Sequence, residues 1–391
     1  MAADRQKRVR IAAVAIAAAG LVLMGAGYLS GSSLWVAADQ KGLFMVEDTP
    51  RSRVSYPEEG RISRAVGIQL HLDDFDVQIV HGEKLSVETV CYGSLRSPDV
   101  KVKDGILEIG ETASQGRGVG TTLLDPRGQK RNQVRITLPY RRCGTVSCVL
   151  QKGDVLVDHL EADDLEIDTR QGDIQLHDIS AQQAAIRLGR GNGSLLEVYV
   201  SEMDYQNERG QSTYQNATPQ RGKTLNFASA GGPVKLQKLQ VDIARLQLDG
   251  DLQASDVKAG QLYIRRTSGQ VEISRLQDNG VISVIGGTGD VSLQGGSQQA
   301  TVNIDSGDIL LDVGRGKYAC PTTAITQKGS ITQQRQLAET YAVDCLAEDG
   351  KVTRAGKTVE GKNSFTTAAH YTRDDRSKML LKTQKGDIAL P

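Results

Sequence analysis

The sequence has few aromatic side chains and no excess of charge of either sign. Only 4% of the 391 residues are aromatic, and Lys+Arg and Asp+Glu both number 47. The balanced charge gives no indication of a nucleic-acid partner, because binding to phosphates requires a basic surface. The shortage of aromatics, together with 42 glycines, predicts a thin core of Val, Ile and Leu with many tight corners, which favours β-structure.

Cysteine is also scarce, and its distribution excludes two kinds of site. The five cysteines are Cys91, Cys143, Cys148, Cys320 and Cys345. An odd number spread over a long chain is not the disulfide framework of a small secreted protein. The spacing of Cys143 and Cys148 is wider than that of a zinc-binding pair, and no histidine pair stands nearby to complete such a site. We therefore expect small buried thiols with at most one disulfide.

The N-terminus has the pattern of a membrane anchor. Four basic residues within 1–10 precede an uncharged run over 11–36, and about 20 apolar residues suffice to cross a bilayer as a helix. The alternative is a signal peptide cleaved near 36–38, but the apolar run is longer than the usual signal core of about 7 to 15 residues. We expect a single-pass cell-membrane protein with 1–10 in the cytoplasm, a linker over 37–53 and the remainder extracellular.

From residue 141 onward, the sequence repeats a pattern of alternate apolar residues on both sides of a glycine. One unit contains Leu165, Ile167, Gly172, Ile174 and Leu176. The same template fits around Gly232, Gly269, Gly289 and Gly386, with weaker copies around Gly153, Gly193 and Gly210. Alternation with a period of two is typical of strands, and a repeat of about 20 residues is too short for most helical repeats. Each unit is therefore predicted to be one coil of strands.

The spacing of the glycines predicts a parallel β-helix, or β-solenoid, in an all-β protein. The nearly regular series is Gly153, Gly172, Gly193, Gly210, Gly232, Gly250, Gly269, Gly289 and Gly307, and Gly329 and Gly350 continue it. Stacked coils would bury the alternate apolar side chains in one interior. At each corner the glycine would adopt a positive φ, and the acidic residue after it would accept backbone N–H bonds. The predicted structural turn residues are Gly153, Asp154, Gly172, Asp173, Gly289, Asp290, Gly307, Asp308, Gly386 and Asp387.

The histidines show no spacing typical of a metal or nucleophile site. They are His71, His81, His159, His177 and His370. The separation of His159 from His177 is close to one period, so these two would stack on adjacent coils. A ladder of two is a poor metal site without a third ligand, and we expect surface histidines and no metal.

The region before the repeats is predicted to be a β-rich cap. Residues 54–140 contain short strands separated by turn signals, and an open end of stacked strands promotes aggregation unless it is covered. The solenoid is predicted over 141–391, with polar insertions near 201–223 and 333–377 that would project as loops.

The order of these segments resembles a known bacterial family. A strand like FDVQIV, a strand like KLSVETV, the segment DGILEIGE, a strand ending in ITLP and repeated SGDI or KGDI units are similar to the putative-adhesin family of β-strand repeats, a domain of unknown function. The resemblance covers residues 64–331 and the final KGDIAL. It implies a right-handed β-solenoid on the bacterial cell surface, tethered by one N-terminal helix, and it brings no catalytic residues.

Two classes of function fit this organisation. The first is an adhesin-like structural or binding module, membrane-tethered and extracytoplasmic, that contacts cell-wall glycan or another envelope protein. The second is a component that senses the state of the envelope and acts through a membrane partner, because the cytoplasmic segment 1–10 is too short for an effector domain.

An enzyme is not expected. Some solenoids cleave acidic polysaccharides with clustered acidic and basic residues, and Asp163, Asp164, Asp168 and Arg170 lie close together in the sequence. In an alternating strand, however, Asp164 and Asp168 share an outward face, which indicates a solvated surface. No catalytic, cofactor-binding or metal-ligating residue is predicted.

Overall fold

The computed structural model describes residues 34–39, 42–46, 50–55, 67–92, 98–111, 121–124, 131–216, 222–337, 342–359, 364–366 and 378–391. The regular secondary structure within these ranges consists of strands. The first strands are β1 (Leu34–Asp39), β2 (Gly42–Val46), β3 (Pro50–Ser55), β4 (Ile68–Asp74), β5 (Asp76–His81), β6 (Ser86–Tyr92), β7 (Pro98–Lys103), β8 (Ile106–Glu111), β9 (Thr121–Leu124) and β10 (Gln133–Leu138).

The strands of the repeating part follow. They are β11 (Arg142–Lys152), β12 (Val155–Gln171), β13 (Ile174–Arg190), β14 (Gly193–Asn207), β15 (Ser212–Gln215), β16 (Gly222–Ser229), β17 (Val234–Gln237), β18 (Gln240–Leu248), β19 (Leu252–Ser255), β20 (Lys258–Arg266), β21 (Val271–Ile285), β22 (Val291–Ser306), β23 (Ile309–Arg315), β24 (Tyr318–Ala319), β25 (Thr322–Lys328) and β26 (Ile331–Gln333). The C-terminal strands are β27 (Ala342–Ala347), β28 (Val352–Arg354), β29 (Lys357–Thr358), β30 (Ser364–Thr366), β31 (Lys378–Lys385) and β32 (Ile388–Leu390).

Each coil of the solenoid has three faces, and we name the coil by its corner glycine. In the Gly172 coil, residues 164–171 form face A, Gly172 turns the chain, 174–177 form face B, and a second corner at Asp178 leads to face C over 179–182. The coils stack in parallel register, and β12 pairs β13 so that Val155 stands beside Ile174. About ten coils follow in this way, with corners at Gly153, Gly172, Gly191, Gly210, Gly232, Gly250, Gly269, Gly289, Gly307 and Gly329.

The interior is one continuous apolar cluster that runs from Ile68 to Leu390. Alternate side chains point inward, so that Leu165, Ile167 and Val284 are at most 2% exposed. Fully burying such a side chain contributes about 1.5 to 3 kcal/mol. The predicted all-β solenoid with a shared aliphatic interior is therefore confirmed.

Arg266 is an exception within this interior. Its side chain is 4% exposed and donates hydrogen bonds to the carbonyl oxygens of Gly269, Thr288 and Gly289, the last over 2.5 Å. Burial lowers the pKa of Arg266, against the opposing effect of nearby Asp290. Carbonyl oxygens at the corner thus take the place of a carboxylate partner for this buried cation.

One corner differs from the predicted series. The corner is Gly191, with φ +144°, and not Gly193. Gly193 lies inward on face B, where an added Cβ would come within 1.9 Å of the Tyr205 hydroxyl oxygen. Gly191 stands midway between Gly172 and Gly210 in the sequence, so this part of the series is more regular than predicted.

The polar insertion predicted near 201–223 is wrong for most of its length. The end of β14 and β15 form the Gly210 coil, which pairs with the coils on both sides. Its inward residues are polar but satisfied: Tyr205 and Ser212 hydroxyls are 2.9 Å apart, and Asn216 donates to the Tyr214 hydroxyl over 2.9 Å. Residues 217–221 lie outside the described part of the chain.

The predicted insertion near 333–377 also contains a coil, and that coil is not stacked in sequence order. Strand β31 pairs with β25 on one side and β27 on the other, and β32 pairs likewise with β26 and β28. The Gly386 coil therefore lies between the Gly329 and Gly350 coils. An added Cβ on Gly386 would lie 2.1 Å from the Gly329 oxygen, and one on Gly350 would lie 1.8 Å from the Gly386 oxygen.

Antiparallel strands cover both ends of the parallel stack. At the N-terminal end, β8 and β10 stack on β4 and β5, and β7, β6 and β3 then pair antiparallel beyond them. At the other end, β30 and β29 pair antiparallel with β27 and β28. Covering the ends in this way limits edge-to-edge association of the rod.

The predicted membrane helix over 11–36 lies outside the described residues, except at its end. Leu34, Trp35 and Val36 belong to β1, which pairs antiparallel with β2 and β9. The predicted linker over 37–53 thus also contains strand residues. Among the described residues there is no apolar helix of membrane-spanning length.

Adjacent residues of β21 offer a direct test of the inward assignment. Val284 is 0% exposed, whereas Ile285 is 48% exposed. We expect Val284→Asp to lower the free energy of unfolding by at least about 4 kcal/mol, because it would bury an unpaired carboxylate, and Ile285→Asp by about 1 kcal/mol or less. Urea denaturation and limited proteolysis measure the difference. A Val284→Asp protein as resistant as the parent would show that the assignment is wrong.

Removing residues 378–391 tests the stacking order. The deletion takes away β31 and β32, on which β27 and β28 are stacked. We expect the backbone amides of 342–359 to lose their protection from hydrogen exchange, whereas those of 142–216 keep it. Hydrogen-exchange mass spectrometry of the two proteins makes the comparison, with deletion of Pro391 alone as control. Unchanged protection over 342–359 would contradict the order described above.

Candidate binding groove

The predicted turn residues all lie along one edge of the rod, between faces A and B. The φ angles are +143° at Gly153, +142° at Gly172, +118° at Gly289, +134° at Gly307 and +146° at Gly386. An added Cβ on Gly172 would lie 2.0 Å from the carbonyl oxygen of Gly153. Glycine is thus required at this corner both for its φ and because the previous coil approaches so closely.

The residues after the glycines form a ladder of hydrogen bonds between coils. The Asp173 amide donates to Asp154 Oδ1 over 2.8 Å, the Asp308 amide to Asp290 Oδ1 over 2.8 Å, and the Lys351 amide to Asp387 Oδ1 over 2.8 Å. Asp173 and Asp308 in turn accept from the next coil, over 2.7 Å each. These carboxylates hold backbone amides, so their role is structural.

The N-terminal end of this ladder has its own cation. Arg131 Nη1 lies 2.7 Å from Asp154 Oδ2 and 3.4 Å from Asp76 Oδ1. Burial raises the pKa of Asp76, although the Asp154 amide and Arg131 oppose the shift. The charge of the first two carboxylates is therefore compensated where the stack begins.

Sequence reasoning missed the second corner, between faces B and C. There the chain adopts a left-handed conformation without glycine, at His159, Asp178, Glu197, Lys238, Asp256 and Arg275, with φ between +51° and +57°. Asp is among the residues that tolerate this region, but Glu, Lys and Arg give no such signal. At Asp256 the carboxylate bonds to Arg275 on the next coil over 2.7 Å, which lowers the pKa of Asp256.

Face A carries an extended concave surface, which we call the face A groove. Parallel register places its central outward residues in one row: Glu166, Ala185, Asp204, Asn226, Arg245, Tyr263 and Ser283. With coils about 4.8 Å apart, six steps make this row about 29 Å long. Short side chains such as Ala185 and Ala228 leave space between the longer ones on both sides.

The groove consists of two adjoining hollows of opposite charge. The first, of 480 Å³, is lined by acidic residues that include Asp164, Glu166, Glu202 and Asp204. The second, of 640 Å³, is lined by Arg245, Gln247, Tyr263, Arg265 and Ile285 among others. Asp204 and Asn226 line both hollows, so the surface is continuous.

The acidic residues weighed as a catalytic cluster lie on the outside of face A. Leu165 and Ile167 point inward, and Asp164 and Glu166 are exposed. Asp163 forms an ion pair with Arg142 over 3.3 Å, and Glu166 lies 3.5 Å from Arg187. These carboxylates therefore form part of an open, solvated surface.

The cysteines take no part in this surface. All five are buried, and Cys143, Cys148, Cys320 and Cys345 are free thiols. Burial raises the pKa of Cys143 to about 11 and those of Cys148 and Cys345 to about 12. A thiol with so high a pKa is a poor nucleophile at neutral pH.

Several solved structures are similar to this chain. A putative adhesin from Bacteroides fragilis NCTC 9343 is 14% identical, over 68% of this chain and 97% of that chain, with a TM-score of 0.29. A putative adhesin from Parabacteroides merdae ATCC 43184 is 11% identical, over 73% and 96%, with a TM-score of 0.30. A putative lipid binding protein from Parabacteroides distasonis ATCC 8503 is 10% identical, over 88% and 98%, with a TM-score of 0.26.

No curated protein matches the chain. The chain does match one sequence family, Toastrack DUF4097, in two stretches that cover residues 66–224 and 219–391. The two stretches meet between β15 and β16, where β14 pairs β16 and β15 pairs β17, so the stack continues across the junction. Because the matches together span most of the sequence, this chain belongs to the Toastrack DUF4097 family.

Proposed function

We propose that the chain is an adhesin-like, non-catalytic binding module of the bacterial envelope, which holds an extended cell-wall glycan in the face A groove. The observation that supports this most is the row of in-register, mostly polar side chains from Glu166 to Ser283, about 29 Å long at a coil spacing of about 4.8 Å. A groove of this shape suits a linear polymer better than a compact small molecule, which is usually enclosed on most sides.

The side chains in the groove have the chemistry that sugars require. Carboxylates and amides such as Asp204, Asn226 and Gln247 accept and donate the hydrogen bonds that hydroxyl groups offer. The ring of Tyr263 is 39% exposed and Ile285 is 48% exposed, which provides an apolar surface beside the polar row. A sugar ring has both kinds of surface, with hydroxyls at its edge and C–H groups on its face.

The charges of the groove favour cell-wall glycan over a uniformly charged polysaccharide. The acidic hollow around Asp164 and Glu202 would repel a polyanion, whereas Arg245 and Arg265 would repel a polycation. The peptide stems of cell-wall glycan have both ammonium and carboxylate groups, so one chain could pair with both hollows.

Tyr263 and Tyr318 are a matched pair for testing the groove. Tyr263 lies in it, whereas Tyr318 is 42% exposed on the short strand β24, away from the hollows. We expect Tyr263→Ala to weaken binding of the full chain, kept in mild detergent, to insoluble cell-wall glycan at least about fivefold, because an exposed aromatic anchor contributes more than about 1 kcal/mol. Cosedimentation measures binding. Equal affinity of Tyr263→Ala and Tyr318→Ala, or no binding by the parent, would refute the proposal.

We further propose that residues 1–33 hold the module at the outer side of the cell membrane. The support is the basic flank within 1–10 and the uncharged run over 11–36. We expect deletion of 1–33 to move the protein from the membrane fraction to the soluble fraction, because the binding energy of the apolar run is lost. Fractionation after an alkaline wash measures this. A truncated protein that still sediments with membranes would contradict the assignment.

A further inference from the structure

Two neighbouring coils bring histidines and aspartates together at the corner between faces B and C. The Gly153 coil has Asp158 followed by His159, and the Gly172 coil has His177 followed by Asp178. Parallel register places Asp158 directly beside His177, so His159 and Asp178 are next to each other one position further along. The four side chains thus form a square, with the imidazoles of His159 and His177 on one diagonal and the carboxylates of Asp158 and Asp178 on the other.

The distances within this square are short. Asp158 Oδ1 lies 2.7 Å from His159 Nδ1 and 2.7 Å from His177 Nδ1. Asp178 Oδ2 lies 3.5 Å from His159 Nε2. The two imidazole rings are 5.5 Å apart between centroids and nearly perpendicular, at 79°. One ligand atom from each of Asp158, His159 and His177 lies within 4.8 Å of the others.

The backbone holds these four side chains in place. His159 and Asp178 have φ angles of +57° and +51°, so both coils turn at the same position. The apolar residues that flank the two turns are at most 2% exposed, and they are Val157 and Leu160 in one coil and Leu176 and Ile179 in the other. The cluster is therefore mounted on a rigid corner, and its side chains remain open to solvent, between 33% and 50% exposed.

We propose that His159, His177 and Asp158, with Asp178 as a fourth ligand, bind one divalent transition-metal ion of the Zn²⁺ class between the two coils. Imidazole nitrogens favour Zn²⁺, Co²⁺ or Ni²⁺, whereas Ca²⁺ and Mg²⁺ favour oxygen ligands alone. Two nitrogens and two carboxylate oxygens at about 2.0 to 2.2 Å make a tetrahedral set in which the ligand atoms are about 3.3 Å apart. To bind the ion, the side chains that make the present 2.7 Å contacts rotate outward, and Asp178, whose Oδ2 now faces His159 Nε2, turns toward the ion.

Charged groups around the square compete with the ion for its carboxylate ligands. Arg141 Nη1 lies 3.7 Å from Asp178 Oδ2, so the ion would replace Arg141 as the partner of that carboxylate. On the next coil, Glu197 occupies the same left-handed corner position as Asp178, and Leu196 pairs with His177. Metal-free hydrogen bonds between His and Asp are the alternative state of the same residues, and the experiment distinguishes the two.

The test uses the full chain in mild detergent, freed of metal by a chelator, with Co²⁺ as the spectroscopic probe. We expect one equivalent of Co²⁺ to give the visible absorption of a tetrahedral site, and Zn²⁺ to displace it. His177→Gln and Asp158→Asn should each weaken binding at least about 100-fold, because loss of a direct ligand exceeds the effect of a supporting residue. Neither substitution changes a left-handed residue.

His71→Gln is the matched control, because His71 is an exposed histidine on β4, away from the square. This variant should bind Co²⁺ as the parent does. Absence of a Co²⁺ spectrum in the parent at millimolar ion, or equal binding by His177→Gln and the parent, would overturn the proposal. Equal binding by Asp178→Asn, which keeps a residue type that tolerates positive φ, would overturn the assignment of the fourth ligand.

Discussion

The close approach of each corner to the corner before it is the constraint on which the rest of the structure depends. The carbonyl oxygen of Gly153 lies where a Cβ of residue 172 would be, and the same contact recurs between Gly307 and Gly329. Coils so close together must be in parallel register, and register in turn places every inward side chain against its counterpart. No coil forms the hydrogen bonds of its own backbone groups alone, so stability depends on pairs of neighbouring coils. For the same reason, both ends of the stack are covered by antiparallel strands.

The parts of the fold predicted from the sequence are those with a local signal. Alternation and a glycine can be recognised within one short segment, and they were sufficient to predict the solenoid. Gly210 belongs to the predicted glycine series, yet the sequence also predicts a polar insertion around it, because polar residues such as Ser212 and Asn216 occupy what prove to be inward positions. What makes these positions favourable is a set of hydrogen bonds made inside the rod, such as that between Tyr205 and Ser212, and a sequence pattern does not show them. The sequence predicts Gly193 as the corner because Ile186, Leu188 and Leu195 fit the template around it, whereas the apolar position two residues after Gly191 is occupied by Gly193.

The order in which the coils stack could not be predicted from the sequence repeat, for a different reason. Every coil offers the same backbone edge, so a repeat shows that coils exist without showing which one follows which. The segment with Gly350 precedes the Gly386 coil in sequence and follows it in space. Since 378–391 is paired on both sides, the end of the stack cannot be completed without these residues. Folding of this end therefore depends on residues 378–391, whereas the coils before Gly329 stack in sequence order.

The same geometry explains why the candidate sites were hard to find in the sequence. Residues one full coil apart are neighbours in space, so the residues that form the face A groove are far apart in the sequence. The sequence predicts no metal at His159 and His177 for lack of a third ligand, although Asp158 and Asp178 stand next to these histidines in the sequence. That pair is diagonal in the stack, because the register places His177 beside Asp158. The pairing of β12 with β13 fixes this register, and the unpredicted left-handed corners at His159 and Asp178 turn both coils at the same position, so that the two dipeptides form one cluster.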